Sequence, residues 1–292
     1  MSSRVIATTI SEHAKQTTGR LSIAEVSAFG YRKRSIAIVL RAAFDGSGTT
    51  LGKHLTLSMV GAEDSAWTTF EQQWGAVLER FQVPYSHMHE LVSKNKSKDS
   101  PFLGWDEWRG HEFTFALMNV IGSLHHSLTL ASLTISMKDY RDLAQKSSVR
   151  VKPAPAICVD YCMAHVLEHP HFFDGHAEMF FDKDEEFIRF LESIWSRNKR
   201  KQLHWANNIA VIAPVDMQQL IPVQGADLLA WSMNRYHSRV CRDDEMDFDI
   251  WQSNAALLAV MSTHSQLYGR AELEEHPGFY GWKLPPKGRK GY

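Results

Sequence analysis

The stretch Ser35-Ile36-Ala37-Ile38-Val39-Leu40-Arg41-Ala42-Ala43-Phe44, followed by Asp45-Gly46-Ser47-Gly48-Thr49, decides how this chain is read. A nearly continuous apolar run of strand length predicts a strand buried on both faces. The glycine-rich segment behind it predicts a turn, because glycine tolerates backbone angles that other residues avoid. His54-Leu55-Thr56-Leu57-Ser58-Met59-Val60-Gly61 then reads as the return strand of a hairpin. From residue 64 to 81 the period changes to that of a helix. Trp67, Phe70, Trp74, Val77, Leu78 and Phe81 fall at i, i+3, i+7, i+10, i+11 and i+14, an apolar stripe behind an Asp64 or Ser65 cap. Such a stripe reads as core.

Working outward, residues 83–91 predict a short strand carrying His87, His89 and Glu90, and 93–100 a lysine-rich loop. A long helix follows over 106–125. Strand and helix patterns then alternate: strand 128–135, helix 155–167 stopped by Pro170, strand 177–181, helix 185–197, strand 209–213, helix 223–236 and a last apolar helix over 251–267. A hairpin first, then strands separated by helices, predicts an α/β domain with a mixed sheet and helices on both faces. The expected organisation is an N-terminal appendage over 1–34, one domain over 35–240, and a C-terminal helix with a basic tail over 241–292.

Composition sets limits on function. With 44% hydrophobic and 22% charged residues the chain is neither a disordered tail nor a coiled coil. Lys and Arg number 32 against 33 Asp and Glu, so any contact with nucleic acid must be a local patch. Three cysteines are too few for a disulfide framework, the N-terminus lacks an apolar signal region, and no run is long enough to span a membrane. A cytoplasmic protein is expected.

Isolated acids recur where the pattern is otherwise apolar. Asp45 ends the first strand, Glu90 lies near the end of the third, Asp182 ends strand 177–181, and Asp227 interrupts Gln224-Gly225-Ala226-Asp227-Leu228-Leu229-Ala230-Trp231. A charged Asp among such neighbours is costly to bury alone, so it must be paired, capped or bound to a cation. Groups at the carboxyl ends of strands converge on one rim of an open α/β sheet. Carboxylates gathered there suit Mg²⁺ or Mn²⁺, which prefer oxygen ligands. The structural alternatives are a plain hairpin turn at Asp45-Gly46-Ser47-Gly48 and a helix N-terminus at Asp182-Lys183-Asp184-Glu185, where the dipole favours acids. Asp227 has the weakest such alternative.

Together, Asp45-x-Ser47-Gly48 after an apolar strand, His87-Met88-x-Glu90 after an aromatic-rich helix, Phe181-Asp182, and Gln224-x-Ala226-Asp227-Leu228-Leu229-Ala230 resemble the "domain of unknown function 3800" family. The resemblance covers roughly residues 36–237 in the family's order; Gly46 stands where that family commonly has Glu. It implies a ribonuclease H-like mixed sheet. It also implies that Asp45, Asp182 and Asp227 are metal ligands, that Glu90 is a ligand or general base, and that Ser47, His87 and Gln224 support them. By analogy the chemistry is phosphodiester hydrolysis with two Mg²⁺ or Mn²⁺ ions. A catalytically silent binding module on the same fold is the alternative.

Other signals are weaker. His165, His169, His171 and His176 cluster with Cys162 and Asp160, but the order His165-Val166-Leu167-Glu168-His169 is not that of a zinc protease, so zinc is disfavoured. Basic runs at 94–98, 146–152, 197–201 and 287–290 read as solvated loops and helix ends; two or more on the carboxylate rim would hold a phosphate backbone. Trp105 and Trp108 beside the lysine loop read as core more readily than as base-stacking platforms. No nucleotide-cofactor motif is present.

Overall fold

The computed structural model describes residues 39–93, 96–168, 176–183, 187–201, 204–240, 265–276 and 279–280. The expected appendage at 1–34, most of the helix at 251–267 and the basic tail lie outside these residues.

The apolar run becomes β1 (Val39–Gly48), and it continues through the segment expected to turn. Asp45, Gly46, Ser47 and Gly48 pair antiparallel with Ser58, Leu57, Thr56 and Leu55 of β2 (His54–Glu63). Four further rungs of pairing outweigh the poor strand preference of Asp and Gly, so the reversal moves out to residues 49–53. Gly48 has φ +83°, and a Cβ there would stand 2.3 Å from the His54 carbonyl.

Helix α1 (Asp64–Phe81) buries Trp67, Phe70, Trp74, Leu78 and Phe81, the predicted stripe. Its expected Asp64 or Ser65 cap does not form: Glu63 is the N-cap, without a side-chain bond, and the Asp64 carboxylate reaches Arg41 instead. Arg41 is itself buried and pairs with Glu178 at 2.9 Å, so its charge is better matched by that pull than by a free cap. Residues 83–91 are not a strand. They form a loop and the one-turn helix α2 (Met88–Val92), because the Met88 N–H is drawn to a side chain of another helix rather than to a sheet.

Helix α3 (Glu107–Leu124) starts at Asp106, whose carboxylate accepts the Arg109 N–H at 2.8 Å. Strand β3 (Thr129–Ser136) runs directly into α4 (Met137–Lys146), a helix the sequence reading missed. Ser136 caps it, and Met137 and Leu143 are its buried positions. Then come α5 (Ala154–Glu168), β4 (His176–Asp182), α6 (Ile188–Arg200), α7 (His204–Asn207), β5 (Ile209–Val215) and α8 (Ile221–Val240). Residues 265–267, expected to end a helix, belong instead to β6 (Ser265–Tyr268), which is followed by α9 (Arg270–Glu275). Short as it is, β6 extends the sheet by pairing with β3.

The strands lie in the order β5-β4-β1-β2-β3-β6. β1–β2 and β2–β3 are antiparallel; β1–β4, β4–β5 and β3–β6 are parallel. This is the ribonuclease H-like mixed sheet expected, with helices on both faces. Alternate residues of β1 divide between the two cores: Ala43 joins Trp67, Trp74 and Leu229, whereas Ala42 and Phe44 join Ile157, Cys158 and Phe181. Helices α1, α3 and α8 thus cover one face, and α4, α5 and α6 the other.

Candidate active site

The sheet register brings two of the predicted acids side by side. Phe44 of β1 pairs with Phe181 of β4, and their rings stack at 4.5 Å on the α5 face. Asp45 and Asp182 follow one step along, on adjacent strands spaced about 4.8 Å apart. Side chains alternate along a strand, so both acids fall on the same face as Ala43 and Phe180, the one that α8 covers. Asp45 is buried. Asp182 Oδ1 accepts the Lys183 N–H at 2.8 Å and the Met217 N–H at 3.4 Å.

Helix α8 delivers the third acid. Asp227 is 6% exposed, its Oδ2 accepts the Met88 N–H at 2.7 Å, and its carboxyl group is hydrogen-bonded to that of Asp45. Burial pushes the Asp227 carboxyl up to about 6, aided by the negative charge of Asp182. The charge of His87, the Met88 N–H and the Asp45 hydrogen bond pull in the other direction. Two carboxyl groups in this contact repel when both are charged, and burial adds to the cost of the Asp227 charge. Asp45, Asp182 and Asp227 are thereby one electrostatic unit. Among the described residues, however, no three His, Cys, Asp or Glu side chains form a ready cage for an ion.

The predicted Glu90 takes a different place from the one expected on a strand. On α2 it accepts the Tyr85 hydroxyl at 3.1 and 3.2 Å and meets His87 Nδ1 at 3.2 Å. Burial, then the charge and hydrogen bond of Glu90, push the Tyr85 phenol up to about 12, so Tyr85 remains a donor. His87 and His89 do not share a strand face: His87 is the N-cap of α2 and half-buried, whereas His89 is exposed. The result is a Tyr85–Glu90–His87 chain beside Asp227.

Gln224 fixes this chain in place. It is fully buried; its Oε1 accepts from Trp74 Nε1 at 3.2 Å, Ser86 N at 3.0 Å and Ser86 Oγ at 3.2 Å, and its Nε2 donates to the Met217 carbonyl at 3.1 Å. One amide therefore ties α1, the 83–87 loop and the start of α8 together, one turn before Asp227. Gly225 lets α8 approach: a Cβ there would lie 2.8 Å from the Phe70 ring. Ser47 takes part through its carbonyl, which accepts Asn234 Nδ2 at 3.2 Å.

Tyr85, Lys183, Asp216 and Asn234 belong to the site's surroundings and were not picked out from the sequence. Lys183 Nζ bonds Asp216 Oδ2 at 2.7 Å at the end of β4 and β5. Nothing local marks Tyr85, Asp216 or Asn234. A basic residue next to Asp182 was the one signal present. The basic run at 197–201 does not reach the rim: α6 runs antiparallel to the strands it joins, which carries its last turn to the opposite end of the sheet. Among the described residues, the members of the histidine cluster form no group that could hold a metal ion. Cys162 is in the core with Sγ 3.7 Å from the Leu57 carbonyl, Asp160 pairs with Lys152, and His165 sits against Tyr161 and Glu168; His169 and His171 lie outside the described residues. Trp105 packs edge-on to Phe102 and Phe113, as core, whereas Trp108 is 71% exposed.

The chain matches no family model, and no curated protein matches it. No helix among the described residues is long and apolar enough to cross a membrane.

Proposed function

We propose that this protein is a metal-dependent phosphodiesterase that acts on nucleic acid, related to the "domain of unknown function 3800" family and working in the reducing cytoplasm. The observation that carries the reading is the hydrogen-bonded Asp45–Asp227 pair, buried on the sheet face that Asp182 shares. Burying interacting carboxyl groups costs stability, and they fit a hard divalent cation such as Mg²⁺ or Mn²⁺ better than they fit each other. Asp45, Asp182 and Asp227 are the residues that would hold it. When bound, such ions activate water and stabilise the leaving oxygen of a phosphodiester.

The chain's own groups supply the rest. A cation held by Asp45 and Asp227 would offset the repulsion between their carboxylates. His87, with Nδ1 held by Glu90, exchanges protons with the reaction through Nε2. Tyr85 keeps Glu90 from turning away. Glu90 accordingly acts as the partner of His87 in this reading, not as a ligand.

The test is cleavage of DNA and RNA in Mn²⁺, with Mn²⁺ binding measured in parallel. Asp45→Asn and Asp227→Asn should both lose Mn²⁺ and cleavage. Unchanged cleavage in both variants would overturn the site, and Mn²⁺ uptake without cleavage by the wild type would leave a silent binding module.

A further inference from the structure

The β1–β2 hairpin that begins at Asp45 ends in Leu51, which is 89% exposed, the most exposed of the large apolar side chains among the described residues. The chain around it is unusually well fastened. Arg141 of α4 donates to three successive carbonyls: Nη1 to Thr50 at 3.3 Å and Leu51 at 3.2 Å, and Nη2 to Gly52 at 3.2 Å. The Gly52 N–H closes the turn on the Thr49 carbonyl at 2.9 Å and the Thr49 hydroxyl at 3.0 Å. On the α4 side the Met137 N–H bonds the Lys53 carbonyl at 2.9 Å. On the α8 side Asn234 Nδ2 bonds the Ser47 carbonyl and Thr56 Oγ1, and Ser238 Oγ lies 2.9 Å from His54 Nδ1.

A hairpin gripped from both sheet faces has little freedom left, yet its tip side chain lies almost wholly in solvent. Single exposed leucines are common, but they do not call for a guanidinium on three backbone carbonyls beneath them. A stiff apolar point is the shape of a wedge that enters a stack of bases. Its charge setting agrees: Lys53 and Lys138 are exposed beside it, with the Arg141 guanidinium below. The neighbouring acids of α4, Asp139 and Asp142, are half-buried, and the Asp139 carboxylate faces Gly269. Leu51 is six residues beyond Asp45, so it is at most about 20 Å from the carboxylates at strand spacing. That distance is about six base steps of ~3.4 Å along one strand.

We propose that Leu51 is a wedge that unstacks a base step of a double-stranded nucleic acid held at the Asp45–Asp182–Asp227 site. This rests on the phosphodiesterase reading and names its substrate class, a duplex. The probe is a 24-base-pair DNA duplex, and the matching RNA–DNA hybrid, with 2-aminopurine placed at successive positions and its fluorescence read on adding the full-length protein and Mn²⁺. The expected result is a fluorescence rise of about threefold at one step within about six of the cut position, as partial unstacking by an inserted side chain predicts. Leu51→Ser should abolish the rise, and Arg141→Ala, which frees the tip, should blur it over neighbouring steps. Mn²⁺ uptake should be unchanged in Leu51→Ser. Cleavage with no rise, or an equal rise in Leu51→Ser, overturns the wedge and leaves the phosphodiesterase reading intact. Binding and cleavage of single strands alone overturns the duplex assignment. Failure of the wild type to bind either duplex or to cleave any strand removes the phosphodiesterase reading itself, and the wedge with it.

Discussion

The two faces of the sheet are built on opposite principles. Against α5 the strands present Leu40, Ala42, Phe44, Leu57, Leu133 and Phe181, and even the polar atoms there, the Cys158 and Cys162 thiols, are small and fully buried. Against α8 the same strands present Asp45, Thr56, Ser58, Ser132 and Thr134, joined by Gln224, Asp227 and Asn234 from the helix. Thr56 Oγ1 meets Thr134 Oγ1 at 2.9 Å and Ser58 Oγ donates to Ser132 Oγ at 2.7 Å. Hydroxyls and amides can be buried when each finds a partner; carboxyls cannot be so easily matched. Both faces carry an apolar core, but only on the α8 face is it interrupted by buried carboxyls, hydroxyls and an amide.

The sharpest break between the faces should come from Asp227→Asn. Cleavage should fall by about a thousandfold or more, the size expected when a group that positions developing charge is lost, while the melting temperature at pH 7 stays level or rises. On the opposite face Phe44→Ala removes a ring stacked on Phe181 and should destabilise by about 3–5 kcal/mol. A urea titration measures that loss, and a loss below about 1 kcal/mol would mean the α5 face is not the stronger.

Titration sharpens the contrast within the polar face. Asp227 is raised from 3.8 to about 6, so its contribution to stability is fully present below about 3.8 and lost as pH rises through about 6. His237 of α8 is lowered from 6.5 to about 4 by burial and the charge of His54, so its contribution is present above about 6.5 and lost as pH falls through about 4. Each amounts to about 3 kcal/mol at 1.36 kcal/mol per pH unit. Comparing urea midpoints of the wild type, Asp227→Asn and His237→Asn from pH 4 to 7 should give difference curves of opposite slope; parallel curves would contradict both assignments. Smaller again, Gln224→Leu should cost about 1–3 kcal/mol, since it leaves the Trp74 and Ser86 donors unpaired. Its cleavage loss should exceed its stability loss, because the 83–87 loop that holds His87 is released.

Much of this was written in local pattern. The α1 stripe from Trp67 to Phe81 and the isolated Asp227 in an apolar helix are visible because burial imposes a period of its own on neighbouring residues. The misreadings have one origin. Asp45-Gly46-Ser47-Gly48 has turn composition but extends as strand, since β2 offers partners to every residue of it. Residues 83–91 look like a strand, yet Met88 begins a helix and its N–H donates to the carboxylate of Asp227, 139 residues later in the chain.

What the amino-acid sequence determined by itself is therefore the order of elements, the side of each that is buried, and the list of acids with no apolar excuse. Only the tertiary structure decided that β4 lies beside β1, putting Asp182 next to Asp45, and that α8 lowers Asp227 onto both. It alone tied Glu90 to Tyr85 and His87. Periodicity is a short-range consequence of burial, whereas strand partners and register follow from packing among segments far apart in the chain, which no local window contains.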